Sequence, residues 1–96
     1  MKVENMTSAK GNNVANQFII SGITEQGFTE EYFQSYETTI ARNYYDNGLC
    51  STTLDTNALN YSRTTSKYLY QFLGEGRKEI EAKIKSGEYV VTDLNA

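Results

Sequence analysis

Apolar and polar residues alternate with a period of two through the first half of the chain and then switch to a helical period. In "VANQFIIS", Val14, Asn16, Phe18 and Ile20 alternate with Ala15, Gln17, Ile19 and Ser21, the pattern of a pleated strand. Apolar residues fall on both sides at Phe18-Ile19-Ile20, so this strand is expected inside a sheet. "VENMTSA" precedes it across "KGNN", whose Gly11 and Asn12 take positive φ at little cost, and the two segments predict a β-hairpin. Ser21 to Thr29, with two glycines, reads as a loop or long hairpin turn. From Tyr32 to Tyr45 the chain is rich in Tyr, Thr, Ile and Phe, residues that suit a half-buried pleated surface. The phase of alternation changes near Ser35-Tyr36, which predicts a bend or bulge and two strands, or one bent one. Asn47-Gly48, between "TTIARNYYD" and "LCSTTLD", is the dipeptide of a type I′ hairpin turn. The expected count is about five strands over residues 2–54, in antiparallel meander order.

After Leu54 the period becomes helical. Thr65, Leu69, Phe72 and Leu73 share one face of a helix over about 62–73, at spacings of four, seven and eight. Asp55 or Thr56 is placed to cap an early turn and Ser62 to cap the main helix, while Gly74 and Gly76 end it. A second helix is expected over about 77–86, with Ile80 and Ile84 inward and Gly87 closing it. On its wet side Glu79–Lys83 and Glu81–Lys85 have the spacing of favourable ion pairs. "EYVVTDL" reads equally as a short last strand or as a tail docked on the sheet. The fold class is therefore α+β, a single domain over 1–96 with both helices on one face of the sheet.

Composition narrows what this domain does. A chain of 96 residues with 39% hydrophobic and 22% charged residues is globular and holds one core. No apolar run is long enough to span a membrane, and "MKVENMTSAKGNN" lacks the apolar region of a secretory signal. Cys50 is alone, which fits a reducing cytoplasm, and its place in a strand predicts an inert buried thiol. The sequence contains no histidine, so Ser-His and Cys-His nucleophilic pairs, histidine relays and histidine-containing zinc sites are excluded. "GEGRK" lacks the spacing of a phosphate-binding P-loop, and Asp46-Asn47-Gly48 lacks the alternating oxygen ligands of a calcium loop. No catalytic residue, cofactor or metal site is expected, and an enzyme is the least favoured class.

Charge is uneven. Residues 1–61 carry three cations and seven anions, whereas residues 62–96 carry six cations and five anions. An acidic first half gains little attraction for nucleic acid, but a local basic patch remains in the second. Arg63, Thr64, Lys67 and Gln71 fall together on the face of the first helix opposite its apolar side. Helix-start amides and hydroxyls at Ser62 and Thr64, joined by Arg63 and Lys67, have the makings of an anion site. Arg77 and Lys78 stand near the start of the second helix, where a cation opposes the helix dipole. Against this, a charged outward face with an ordinary cap is the bland reading of the same residues.

The eight tyrosines cannot all be buried, because each buried hydroxyl needs a partner. Tyr44 and Tyr45 point to opposite sheet faces, so at most one enters the core. Tyr32, Tyr36, Tyr44 and Tyr45, with Glu37 and Asp46, are the expected protein-contact residues, since tyrosine gives large contact area at low entropic cost. The acidic residues Glu30, Glu31, Glu37, Asp46 and Asp55 are expected mainly to solvate the sheet, or to meet a basic partner surface.

Two motifs carry a resemblance. Phe33, Ser35, Tyr36, Ile40 and Ala41 form F-x-S-Y-x-x-x-I-A, and Tyr61, Ser62, Thr64, Thr65 and Lys67 form Y-S-x-T-T-x-[KR]. With "NMTSAKGNNVANQFII" they resemble a group of small uncharacterised proteins carried by phages, plasmids and other mobile elements of bacteria. Members of that group often carry histidine where this chain has Tyr68. The resemblance implies a setting, the bacterial cytoplasm, and a way of acting, by binding. The leading expectation is a non-catalytic interaction protein that inhibits a host defence or nucleic-acid-processing protein, in the manner of an anti-CRISPR factor. The alternative is a nucleic-acid-binding accessory protein using Arg63, Lys67, Arg77 and Lys78. A homodimer through an exposed tyrosine-rich strand is also compatible with the sequence.

Overall fold

A computed structural model describes residues 2–96. Six strands, β1 (Lys2–Thr7), β2 (Asn13–Ile23), β3 (Thr29–Ser35), β4 (Thr38–Asp46), β5 (Leu49–Asp55) and β6 (Tyr89–Thr92), form one sheet in chain order. Helices α1 (Arg63–Leu73) and α2 (Arg77–Ser86) lie between β5 and β6. The first five strands are an antiparallel meander, and β6 returns after the helices to pair with β5 in parallel. The expected α+β class and helix bounds hold. The sheet gains a sixth strand because the helical hairpin is long enough to serve as a crossover, which a parallel pair requires.

Turn chemistry sets the meander. Asn47 and Gly48 both have positive φ, 50° and 84°, which is why the β4–β5 turn takes Asn-Gly and why a side chain at Gly48 would be strained. The phase change near Ser35 is a chain reversal, not a bend within one strand: β3 ends at Ser35 and β4 begins at Thr38. Pairing slips between Phe33–Ala41 and Gln34–Thr39, so Ile40 is an extra residue in β4. That bulge lets Ile40 and Ala41 both reach zero exposure. The segment expected as a loop from Ser21 is shorter, because β2 runs on to Ile23.

In register, Ile19, Phe33, Ala41 and Leu54 lie side by side across β2 to β5. This is the face the helices cover. Leu69 of α1 and Ile80 of α2 are fully buried against it, with Met6, Ala58, Tyr68 and Tyr89 completing the core. The rings of Phe33 and Phe72 stack at 5.9 Å. Each such fully buried large apolar side chain contributes roughly 1.5–3 kcal/mol relative to exposure. Helix α1 is seated by a buried hydroxyl pair, Ser35 Oγ to Thr65 Oγ1 at 2.9 Å, while Ser62 Oγ accepts from the Thr65 amide at its start. Gly74 ends α1 in the left-handed region. Gly76 is the N-cap of α2 and not a terminator of α1.

Three local expectations change. Cys50 is exposed, since it sits two residues past Gly48 of the β4–β5 turn, opposite Tyr45, at an uncovered end of the sheet. Lys83 pairs with Glu75 at 2.7 Å and with Glu88 at 3.7 Å, not with Glu79. Glu81 pairs with Arg77, not with Lys85. The draw on Lys83 is tertiary: Glu75 is mostly buried and also accepts a bond from the Tyr89 hydroxyl. Burial raises the Glu75 carboxyl, but the bonds from Lys83 and Tyr89 outweigh it and leave its pKa lowered.

Candidate functional site

Among the described residues no helix lies on the second sheet face. Its central register row is Val3, Ile20, Tyr32, Arg42, Thr53 and Val90, one residue from each of the six strands. Phe18, Tyr44 and Leu49 flank this row on the same face, and the Phe28 ring leans on Tyr44 at 5.3 Å. Val3, Val90 and Leu49 are 61%, 53% and 76% exposed. Tyr32, Tyr44, Phe18, Ile20 and Phe28 are half-buried. An apolar and aromatic surface left open to water over all six strands is unusual for a face that only needs solvating.

Arg42 stands at its centre. Its Nη2 reaches Thr53 Oγ1 at 3.4 Å, and among the described residues it forms no ion pair, while its Nε is buried with no hydrogen-bond partner. The carboxylates of Glu30 and Asp46 share this face by register. One guanidinium against two carboxylates leaves the charge of this face net acidic, which disfavours phosphate.

The expected contact residues divide. Tyr32, Tyr44 and Asp46 lie on the open face. Tyr36 and Glu37 form the exposed β3–β4 turn, with Tyr36 at φ 56°. Tyr45 lies on the opposite side, where its hydroxyl donates to Glu31 Oε1 at 2.9 Å. Burial first, then Glu31, push the Tyr45 hydroxyl up to about 12. Tyr45 is thus committed within the fold rather than presented as an anchor.

The basic candidates also divide. Arg63, Lys67 and Arg77 converge on one open hollow of about 710 Å³ with Leu59, Tyr61 and Tyr70. Thr64 and Lys78 are exposed and do not line it, and Ser62 is occupied as the helix cap.

Asp55, expected as a solvating charge or as the cap of an early turn, is buried and serves as a structural hub, its bond from the Asn57 amide realising the cap. Its oxygens accept from the Asn57 and Leu94 amides, the Tyr61 hydroxyl and the Asn95 side chain, at 3.0–3.2 Å. Burial raises its pKa, but these bonds win and lower it below the ordinary value. Asn95 in turn accepts from the Thr39 amide and donates to the Thr39 carbonyl, so its carboxamide binds β4 as a neighbouring strand would. A second hollow, of about 600 Å³, opens here beside Glu37, Asp55 and Asp93. Among the described residues no group of histidine, cysteine or acidic side chains is placed to hold a metal, and no helix is long and apolar enough to cross a membrane.

Sequence reasoning missed Val3, Phe18, Ile20, Phe28, Arg42 and Val90 as partners on one surface. Each strand shows a usable alternation, but only the register across six strands reveals that these residues line up.

Fold and surfaces together define a small α+β domain with a half-covered sheet. The chain belongs to the Family of unknown function (DUF8033), whose model matches residues 1–90. No curated protein and no solved structure matches it.

Proposed function

We propose that this is a non-catalytic interaction protein that binds a partner protein through the open face of its sheet. The observation that carries the reading is the row Val3–Ile20–Tyr32–Arg42–Thr53–Val90, open except at Thr53, which is buried beside Arg42, with Tyr44 and Phe18 flanking it. Tyrosine and arginine at the middle of an apolar patch are the residue types that dominate protein-contact energetics. The rigid sheet holds them in place before contact, which lowers the ordering cost of association. A net acidic face argues for protein over nucleic acid as the partner of this surface.

The motif resemblance supplies the setting. In its sharpest form the protein is made by a phage or mobile element in the bacterial cytoplasm and blocks a host defence or nucleic-acid-processing protein by occupying its surface. Such an inhibitor acts in stoichiometric amounts and needs no catalytic group. The buried Asp55 supports the same reading, because its oxygens are spent on donors from Asn57, Tyr61, Leu94 and Asn95.

The test is capture from nuclease-treated bacterial lysate with the native protein and with the double variant Tyr32→Ser, Tyr44→Ser. A protein retained by the native chain and lost by a variant that still unfolds cooperatively supports the proposal. Retention equal in both, or recovery that vanishes with nuclease, overturns it. Self-association lost in the same variant would name a second copy as the partner.

A further inference from the structure

We propose a second, independent binding site in the basic hollow between α1 and α2, with a nucleotide unit, a phosphate with its base, as ligand. Helix α1 supplies Arg63, Lys67 and Tyr70, the start of α2 supplies Arg77, and the 56–61 segment supplies Leu59 and Tyr61. Three of the nine cations of an acidic chain meet here, and among the described residues no carboxylate lines the hollow. Its volume, about 710 Å³, falls within the range of roughly 300–1,000 Å³ usual for small-molecule sites.

The parts differ in how they are held, and the difference suits a ligand with a flat ring and a charged end. Two are fixed in advance. The Tyr61 ring is tied through its hydroxyl to Asp55, which accepts at 3.2 Å. Arg77 is tied through Nη1 to the Leu59 carbonyl at 3.2 Å and through Nε to Glu81 at 3.4 Å. Two have no carboxylate partner: among the described residues neither Arg63 nor Lys67 forms an ion pair, and Lys67 Nζ rests 5.5 Å from the centre of the Tyr68 ring. The anchored guanidinium and ring form a preformed wall, and these two cations close on a phosphate. Tyr61 and Tyr70 offer faces on which a base can stack, and Leu59 gives an apolar floor. A bare anion would use the cations alone and leave both rings idle.

The nucleotide can arrive free or as part of a single strand, and the two differ in what they require. A free nucleotide is satisfied within the hollow. A strand runs on from it along the α1 surface, and its affinity falls more steeply with salt as more phosphates are neutralised.

The experiment is an NMR titration of the isotopically labelled full chain with adenosine monophosphate, a short single-stranded oligonucleotide and inorganic phosphate, at matched ionic strength. The expected result is amide shifts grouped at residues 59–70 and 77, larger for the nucleotide than for phosphate. The double variant Arg63→Gln, Lys67→Gln should weaken binding roughly tenfold or more, and the charge-matched Lys10→Gln, Lys85→Gln by less than about twofold. Equal affinity for mononucleotide and oligonucleotide identifies the free nucleotide, and tighter oligonucleotide binding with a steeper salt slope identifies the strand. No grouped shift at millimolar nucleotide, equal shifts from phosphate alone, or equal losses in both variants overturns the proposal. The sheet-face reading stands or falls separately, because none of these residues lies on that face.

Discussion

The two faces of this sheet share one backbone hydrogen-bond network and differ in what lies above them. On the covered face Phe33, Ala41 and Leu54 have no exposure, sealed by Leu69 and Ile80. One residue along each strand, the open face shows Val3 at 61% and Val90 at 53%, with Tyr32 and Arg42 half-exposed between them. Period-two geometry makes the two faces neighbours in sequence and strangers in environment. Burial is thereby concentrated on one face, and the other is left without a covering element among the described residues. The price is an apolar surface that a folded monomer does not need.

The largest effect that separates the faces comes from a paired truncation. Phe33→Ala should destabilise the domain by about 3–5 kcal/mol, the range for emptying an aromatic core position. Tyr32→Ala, its immediate neighbour, should cost roughly 1 kcal/mol or less, because only part of its ring surface is lost from burial. Urea unfolding of both variants checks this. Similar losses in both would show that the open face also carries the fold.

Next in size is Asp55. Its folded pKa is lowered, so its contribution to stability is present above the ordinary carboxylate value of 3.8 and is lost as pH falls through the lowered folded value. Asp55→Ala should cost about 3 kcal/mol near neutral pH, since four donors lose a buried charged acceptor. Asp55→Asn should flatten the acid limb of the stability profile. Urea midpoints measured from neutral pH down to acid give the answer, and an unchanged acid limb would remove Asp55 from its place as hub.

The smallest effect concerns Gln17, which is 1% exposed and whose two side-chain polar atoms have no hydrogen-bond partner among the described residues. Replacement by methionine of similar length removes two unpaired buried groups, so Gln17→Met should be neutral or stabilising by about 1 kcal/mol. A clear destabilisation in thermal melts would mean that Gln17 has a partner in solution.

How much of this was legible in the sequence follows from range. The Asn47-Gly48 turn, the helical period from Thr65 to Leu73 and the caps at Ser62 and Gly74 are local signals, and each marks its element. The parallel docking of β6 depends on what α2 positions, which no local pattern reports. Glu75 won Lys83 over Glu79 because burial and the Tyr89 hydroxyl add to a bond between side chains eight residues apart. The Asp55 cap on the Asn57 amide is a local signal, but the donors Leu94 and Asn95 lie 39 and 40 residues away, so the reach of the hub to them is not legible in any local pattern. The site was half legible for the same reason. Arg63, Lys67 and Tyr44 were singled out as residues, whereas their assembly into a hollow and a face required helix packing and strand register.

Side-chain footprinting by hydroxyl radicals, with and without the protein captured from lysate, tests the central claim most directly. Protection of Tyr32, Tyr44, Phe18 and Val3, with Tyr61 and Tyr70 still reactive, is the predicted result. Protection confined to Tyr61 and Tyr70, or an open face as reactive in the complex as alone, would contradict it.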